Sequence, residues 1–322
     1  MSTKFIVTGG AGFIGSNLVA ALNERGEDHV LVVDELGTDE KWKNLVGLRY
    51  EDYMGRDDFR AAIRHDLLGS VDAVFHLGAC SATTEKDASY LADNNYRYTR
   101  ELCEWCLHNG SRFIYASSAA TYGDGESGYS DDDRHTLTLK PLNMYGYSKH
   151  MFDLWALRHA LLDRIVGLKY FNVFGPREDH KGDMRSVVHK AYHQIRETGE
   201  IRLFKSYKPK YRDGEQERDF IFVRDAVDVT LFFLDHPGVS GLFNCGTGQA
   251  RTWNDLAKAV FAAMGVEPRI TYIDMPPALR DKYQYHTQAD VLKLRKAGYD
   301  KPFTALEDGV QAYIRDGLSV PR

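Results

Sequence analysis

A glycine-rich segment near the amino terminus restricts the fold of this chain more than any other feature. The apolar run Phe5–Thr8 predicts a strand, and the pattern over residues 13–25 predicts a helix. Between them, Gly9, Gly12 and Gly15 follow one another at three-residue spacing. Such glycines permit a tight turn, a close approach of a ligand phosphate to the backbone, and close packing of the helix on the strand. The segment therefore predicts a βαβ unit whose first helix begins at a phosphate-binding turn.

Short apolar runs alternate with longer helical patterns through the rest of the first half. We predict strands at residues 30–34, within 71–77, at 113–117 and at 165–171, with helices over about 94–109 and 145–162. Strands that alternate with helices indicate a parallel sheet with right-handed crossovers. The expected fold is α/β: a Rossmann-like, doubly wound parallel sheet with a smaller C-terminal α/β substrate-binding domain.

The pattern changes after Asn172, where a polar turn precedes a predicted helix over residues 184–198. Further strands are predicted at 219–223 and 242–245. We expect residues 1–171 with about 219–250 to form the dinucleotide-binding domain, and about 172–218 with 251–322 to form the substrate-binding domain. The ligand cleft is expected above the carboxyl ends of the strands.

Composition excludes several classes of function. A formal net charge of −5 argues against a nucleic-acid partner, which a basic excess would favour. No apolar run approaches the roughly 18 residues of a membrane span, and the amino terminus lacks a signal-peptide pattern. Cys103 and Cys106 form a CxxC without a second pair, so we expect no metal site. These features predict a cytoplasmic protein with a small-molecule substrate and no membrane contact.

The residues after the second predicted strand bear on the choice of dinucleotide. Asp34 lies about 20 residues beyond the glycines, where a carboxylate accepts hydrogen bonds from an adenosine ribose and favours NAD. Lys41, Lys43 and Arg56 follow, and a cation near the ribose favours NADP because it neutralises a 2′-phosphate. The residues alone leave both cofactors open.

A second cluster of chemically capable side chains lies near the middle of the chain. Tyr145 and Lys149 are four residues apart, so a helix places them on one face. An ammonium beside a phenol is expected to lower the pKa of the tyrosine and assist proton exchange. Ser118 is preferred over Ser117 as the accompanying hydroxyl because of its spacing to Tyr122.

Four segments together resemble the extended short-chain dehydrogenase/reductase superfamily over essentially the whole chain. They are TGGAGFIG (8–15), SSAATYG (117–123), YGYSK (145–149) and FNVFGPR (171–177). The resemblance implies a triad in which Tyr145 transfers a proton, Ser118 hydrogen-bonds to the reacting oxygen, and Lys149 holds the cofactor ribose. Dehydratases of this superfamily carry a carboxylate just after the catalytic hydroxyl, whereas residues 119–121 here are Ala, Ala and Thr. Dehydration is therefore not expected.

Five further segments resemble a narrower family, the epimerases that invert C6 of a heptose linked to ADP for lipopolysaccharide. They are HLGACSATTE (76–85), DNNY (93–96), GPREDHKGDM (175–184), RDF (218–220) and YQYHTQAD (283–290). Because the C6 hydrogen is unactivated, a transient C6 ketone is the reasonable route. The C6 oxygen then has a different orientation in each half-reaction. A single acid/base group is within hydrogen-bond reach of this oxygen in only one of the two orientations. The resemblance implies Tyr145 for one orientation and Lys181 for the other, with a nucleotide-sugar 4-epimerase or reductase as the alternative function.

The same resemblance implies an ADP-heptose substrate and an NADP cofactor, tightly bound and recycled within each turnover, with NAD as the alternative. It also implies a homo-oligomer, with a pentamer as the specific expectation. The implied cofactor-binding residues are Gly9, Gly12, Phe13, Ile14, Gly15, Asp34, Glu35, Lys41, Arg56, Leu77, Gly78, Ala79, Cys80, Ser81, Asn94, Lys149, Val173 and Lys181. The implied substrate-binding residues are Ser118, Asn172, Asp183, Lys190, Leu203, Phe204, Lys205, Ser206, Arg218 and Tyr283. Of the implied cofactor-binding residues, Glu35 fits poorly, because its carboxylate would lie beside the negatively charged 2′-phosphate of NADP.

Overall fold

Strands and helices alternate along the chain, and the computed structural model describes residues 4–280 and 283–319. The strands of these residues are β1 (Phe5–Thr8), β2 (Val30–Val33), β3 (Asp52–Met54), β4 (Ala73–His76), β5 (Arg112–Ser118), β6 (Val166–Tyr170), β7 (Asn172–Phe174), β8 (Ile201–Phe204), β9 (Glu217–Phe222), β10 (Gly241–Cys245), β11 (Ala250–Thr252) and β12 (Ile270–Ile273). The α-helices are α1 (Phe13–Glu24), α2 (Arg56–Arg64), α3 (Ala88–Leu91), α4 (Tyr98–Asn109), α5 (Met144–Arg158), α6 (Val187–Thr198), α7 (Val223–Asp235), α8 (Trp253–Met264), α9 (Pro277–Arg280), α10 (Leu292–Lys296) and α11 (Leu306–Tyr313).

The centre of the molecule is a seven-stranded sheet in the order β3-β2-β1-β4-β5-β6-β10. Every neighbouring pair in this sheet is parallel. The order reverses between β1 and β4, which opens a crevice at the carboxyl ends of these two strands. The prediction of a Rossmann-like, doubly wound α/β fold is confirmed.

The central strands are apolar on both faces because helices cover both faces. Phe5 and Val7 of β1 pack in one cluster with α1 and α7. Ile6, between them in sequence, packs in another cluster with α2, α4 and α5. This alternation is the period of two that a strand imposes on its side chains. It fixes which helices lie on each side of the site.

The C-terminal part forms smaller layers around α6, α8 and α11, which share one apolar cluster. A three-stranded sheet has the order β11-β9-β7, and β12 pairs with β8. The sequence predicts that residues from about 219 to 250 belong to the dinucleotide-binding domain, but β9 pairs with β7 and β11 and not with the central sheet. It then leads directly into α7, which packs on the central sheet. The division into two domains stays a prediction.

Two early elements were not predicted from the sequence. Strand β3 has only three residues, all at least partly exposed, and helix α2 follows it. A short, half-exposed edge strand carries no apolar run for a periodicity argument to detect. No helix in the described ranges is both long and apolar enough to cross a membrane.

Candidate active site

The glycine-rich turn forms a cradle at the carboxyl end of β1. Gly9 has a φ of 67°, which favours glycine, and a Cβ on Gly15 would lie 2.1 Å from the carbonyl oxygen of Gly9. Helix α1 begins after Gly12, which contributes no side-chain cap, and its first turn carries no acid. The free N–H groups of this turn therefore face the crevice, where they suit the pyrophosphate of a dinucleotide.

Asp34, just after β2, is largely committed to contacts within the chain. One carboxylate oxygen accepts the Ala11 N–H at 2.9 Å. The other accepts the Glu35 N–H at 2.7 Å and a hydrogen bond from Lys41 Nζ at 3.1 Å. These contacts fill three of about four acceptor positions of the carboxylate. A ribose hydroxyl would find little acceptor capacity left on Asp34.

The Glu35 carboxylate is engaged at the start of α2. Its Oε1 accepts a hydrogen bond from the backbone N–H of Arg56 at 2.8 Å and so caps the amino terminus of α2. The Arg56 guanidinium in turn donates to Asn94 Oδ1 at 2.9 Å. Glu35, Arg56 and Asn94 thus form a connected group, and the described cleft wall does not include them.

A cleft of about 700 Å³ runs from the glycine turn across the carboxyl ends of β1, β4 and β5. The predicted site residues that line it are Gly9, Gly12, Phe13, Ile14, Gly15, Asp34, Lys41, Leu77, Gly78, Ala79, Cys80, Ser81, Ser118, Tyr145, Lys149, Asn172, Val173 and Lys181. The structure thus brings together most of the expected cofactor residues and the four expected catalytic residues.

Tyr145 and Ser118 meet at the centre of the cleft. Asn143 caps α5 by accepting the Gly146 N–H at 2.8 Å, which places Tyr145 in the first turn. Ser118 ends β5, and its hydroxyl lies close enough to the Tyr145 phenol to act on the pKa of that phenol. Burial raises the pKa of Tyr145, and the contact with Ser118 partly opposes this rise. The phenol therefore retains its proton at neutral pH.

Lys149 does not have the effect on Tyr145 that the sequence predicted. Its Nζ donates to the carbonyl oxygen of Ala116 at 2.8 Å, and the pKa of Tyr145 is raised, not lowered. Burial lowers the pKa of Lys149 to about 8. The spacing placed both residues on one face of α5 correctly, but the direction of the amine depends on the neighbouring strand.

The lowered pKa of Lys149 predicts a pH-dependent stability. A lysine titrates near ~10.4 in an unfolded chain, so from about pH 8 to ~10.4 the unfolded state holds a proton that the folded state has released. Stability rises with pH wherever the unfolded state binds more protons. We expect the free energy of unfolding of wild type, relative to Lys149→Met, to rise by on the order of 3 kcal/mol across this window. Urea denaturation of both proteins at pH values spanning the window measures this difference, and a flat difference would contradict the prediction.

Lys181 enters the cleft from the turn Asp179–Met184. Its Nζ lies 5.2 Å from the ring centroid of Phe13, at the start of α1. Burial lowers the pKa of Lys181, with a smaller opposing effect from Glu178. No carboxylate in residues 4–280 and 283–319 forms an ion pair with this amine. Lys181 is thus a half-buried amine next to the phosphate cradle.

Glu178 anchors the turn that carries Lys181. It is fully buried, and its carboxylate accepts the Ser186 N–H and the Ser186 hydroxyl, each at 2.6 Å. These contacts hold the start of α6 to the turn. The position of the Lys181 amine is therefore set by a buried polar group and not by a free surface loop.

Arg218 lies beside the cleft with unused donor capacity. Its guanidinium is 5.1 Å from the ring centroid of Tyr283 and 5.5 Å from that of Trp253. Its one described hydrogen bond goes to the carbonyl oxygen of Glu217, at 2.8 Å. Arg218 is buried, and within the described ranges no carboxylate pairs with it. A buried guanidinium of this kind can grip a phosphate in bidentate fashion.

The other predicted substrate residues lie outside the described cleft wall. Asp183 accepts a hydrogen bond from Lys190 through its backbone oxygen at 2.6 Å. Residues 203–206 lie at the end of β8 and just beyond it, and Lys205 forms an exposed ion pair with Asp274. Their roles stay predictions.

Several cleft residues were missed by sequence reasoning. His180, Gln284 and Thr287 lie inside segments that carry the family resemblance but were given no role there, and Trp253 lies outside those segments. Gln284 donates to the carbonyl oxygen of Gly123, and Trp253 donates through Nε1 to the Tyr283 hydroxyl at 2.8 Å. For Trp253, the available local signal was an aromatic residue directly at the start of α8.

Comparison with known sequences gives a match over most of the chain. Residues 5–246 match the sequence model of the NAD dependent epimerase/dehydratase family. An ADP-L-glycero-D-manno-heptose-6-epimerase from Nitratidesulfovibrio vulgaris (strain DP4) is 61% identical over 316 residues, which cover 98% of each chain.

Comparison with solved structures gives two informative neighbours. The ADP-L-glycero-D-manno-heptose-6-epimerase of Helicobacter pylori superposes with a TM-score of 0.83 at 29% identity, covering 99% of this chain and 97% of that one. The UDP-glucuronic acid 4-epimerase of Bacillus cereus, solved with UDP-glucuronic acid and NAD, superposes with a TM-score of 0.77 at 27% identity, covering 97% and 98%. Enzymes of two positional specificities thus share this fold.

Proposed function

Since this chain belongs to the NAD dependent epimerase/dehydratase family, we propose that it interconverts ADP-D-glycero-D-manno-heptose and ADP-L-glycero-D-manno-heptose. The protein is an isomerase that inverts C6 of the heptose, as its relatives' names state for them. Such a reaction supplies the heptose of the lipopolysaccharide inner core.

The observation that carries this proposal is the pair of proton-transfer groups in one cleft. Tyr145 and Lys181 both line it, on elements that are far apart in sequence. The Tyr145 phenol has a raised pKa and the Lys181 amine a lowered one, each mainly through burial. A 4-epimerase mechanism has no use for the second group, whereas inversion at an exocyclic carbon does.

A nicotinamide cofactor fits the site, because the cradle at Gly9 and Gly15 leaves no room for side chains and the start of α1 offers free N–H groups. A bound nicotinamide would supply reversible hydride transfer at C6. Tyr145 holds the proton of the C6 oxygen in one orientation, and Lys181 holds it in the other. Ser118 hydrogen-bonds to the reacting oxygen, and Lys149 holds the cofactor ribose.

NADP is the cofactor that the residues favour over NAD. Asp34 has little acceptor capacity left for a ribose hydroxyl, because Ala11, Glu35 and Lys41 already donate to it. Lys41 brings a positive charge to the same end of the cleft. Glu35 is held at α2 by the Arg56 N–H, which offsets part of its charge. We infer that NADP is held tightly and recycled within each turnover.

The diphosphate of ADP-heptose is assigned to Arg218. The guanidinium is buried beside the rings of Trp253 and Tyr283, and among the described residues its remaining N–H groups have no partner, so they are available to an anion. Trp253 extends this surface into the cleft wall. A homo-oligomer, and a pentamer in particular, stays a prediction.

Resolution of reaction products tests the function and its alternative together. Purified protein is incubated without added cofactor, separately with ADP-D-glycero-D-manno-heptose and with UDP-glucuronic acid, and the epimers are resolved by chromatography. We expect the C6 epimer of the heptose to form and the UDP-sugar to remain unchanged. Formation of a C4 epimer from the UDP-sugar, with no conversion of the heptose, would establish the 4-epimerase alternative instead.

A further inference from the structure

We propose that His180 donates a hydrogen bond to the 2′-phosphate of NADP and so helps this protein select NADP over NAD. The inference rests on the proposed nicotinamide cofactor and assigns a residue to one of its phosphates. His180 belongs to the turn that also carries Lys181, and it lines the cleft.

The side chain of Asn44 fixes which ring nitrogen of His180 carries the proton. Asn44 is buried, and its Nδ2 lies 3.0 Å from the carbonyl oxygens of both Ala11 and Arg177. Carbonyl oxygens only accept, so this atom is the amide nitrogen and donates. The same Nδ2 lies 3.2 Å from His180 Nδ1. The two hydrogens on Nδ2 thus face three acceptors, so two of these acceptors share one hydrogen. His180 Nδ1 therefore accepts, and the proton of the neutral imidazole is on Nε2.

The surroundings keep this imidazole neutral. Burial lowers the pKa of His180, and Lys41 and Lys181 lower it further, while Asp39 and Asp34 act in the opposite direction. A neutral ring with Nδ1 already accepting offers one N–H donor and no free acceptor. Such a group needs an acceptor as its partner, and a charged phosphate oxygen is a stronger acceptor than a ribose hydroxyl.

His180 lies near the end of the cleft where the adenosine ribose is expected. The charged groups that act on it include Asp34 and Lys41, which lie just beyond β2. In this fold the adenosine ribose contacts the residues at the end of the second strand. The segments Glu40–Leu45 and Asp179–Met184, which carry Lys41 and His180, are joined by the contact between Asn44 and His180.

Lys41 alone does not satisfy a 2′-phosphate. Two of its three donors are used, by Asp34 Oδ1 at 3.1 Å and by the carbonyl oxygen of Glu35 at 2.9 Å. A phosphate has three oxygens that accept strongly. The Nε2–H of His180 supplies a second donor beside that of Lys41.

A competition experiment with the intact protein tests the assignment. Wild type, His180→Phe and His180→Gln are equilibrated with equimolar NADP⁺ and NAD⁺, and native mass spectrometry gives the bound ratio. We expect His180→Phe to lower the NADP⁺ to NAD⁺ ratio by roughly 10- to 100-fold, which is the effect of losing a hydrogen bond to a charged group. His180→Gln restores an N–H donor and is expected to retain more of the preference. The control His108→Phe changes an exposed histidine of α4 outside the cleft wall and is expected to leave the ratio unchanged.

The outcomes separate this inference from the proposed function. An unchanged ratio in His180→Phe, or an equal loss of both dinucleotides, would overturn the role of His180. A wild type that prefers NAD⁺ would overturn both that role and the NADP assignment. In either case, formation of the C6 epimer of ADP-heptose by the same wild-type preparation would leave the epimerase function standing.

Discussion

Replacing Lys181 by Met is expected to lower kcat for C6 epimerisation by roughly 10²- to 10⁴-fold, the range for removal of a positioned acid/base. Lys181 is half-buried, its amine lies over the ring of Phe13 beside the phosphate cradle, and its pKa is lowered. With only Tyr145 left, the C6 oxygen has a proton-transfer partner in one orientation and none in the other. Both directions of the reaction must pass through both orientations, so both rates fall.

Steady-state kinetics in each direction measures this loss, with binding followed through KM. Methionine has a similar length and no charge, so packing beside Phe13 is largely retained. The matched control is Lys258→Met, which changes an exposed lysine of α8 outside the described cleft wall and is expected to keep kcat within about 2-fold. If Lys181→Met retains most of its C6 epimerase activity, one acid/base suffices and the two-group mechanism is wrong.

Replacing Lys169 by Met is expected to lower the free energy of unfolding by about 3–5 kcal/mol, since this leaves a buried charge without its partner. Lys169 Nζ donates to Asp153 Oδ2 and to Thr121 Oγ1, each at 2.8 Å, and both charged side chains are almost wholly buried. Asp153 also accepts from the Tyr115 hydroxyl at 2.8 Å and the Ser117 hydroxyl at 2.7 Å. The Asp153 carboxylate thus joins α5, β5 and β6.

Chemical denaturation of a double-mutant cycle measures this coupling. Asp153→Asn combined with Lys169→Met removes both charges. The amide oxygen accepts from one of the Tyr115 and Ser117 hydroxyls and the amide N–H donates to the other, so the double variant is expected to be more stable than Lys169→Met alone. The control Lys301→Met breaks an exposed pair with Asp228 at 3.0 Å and is expected to cost about 0–1 kcal/mol. A loss below about 1 kcal/mol for Lys169→Met would show that the buried pair contributes no more than a surface pair.

The sequence alone was sufficient for the fold and for the order of its motifs. Gly9, Gly12 and Gly15 sit between a strand and a helix, and Tyr145 and Lys149 are one helical turn apart. These are local patterns, because the periods of strands and helices act over a few residues. The resemblance of complete motifs then identified many of the residues that line the cleft, Lys181 among them.

The tertiary structure decided which partner each polar side chain has. The amine of Lys149 goes to Ala116 O, not to Tyr145, and Glu35 turns to the start of α2. Asn44 meets His180 across 136 positions of sequence. Such pairings depend on how whole strands and helices pack, and a side chain's pKa depends on what that packing buries it among. Local spacing therefore determined which helix or strand carries each chemical group. Only the folded molecule determined what each group contacts.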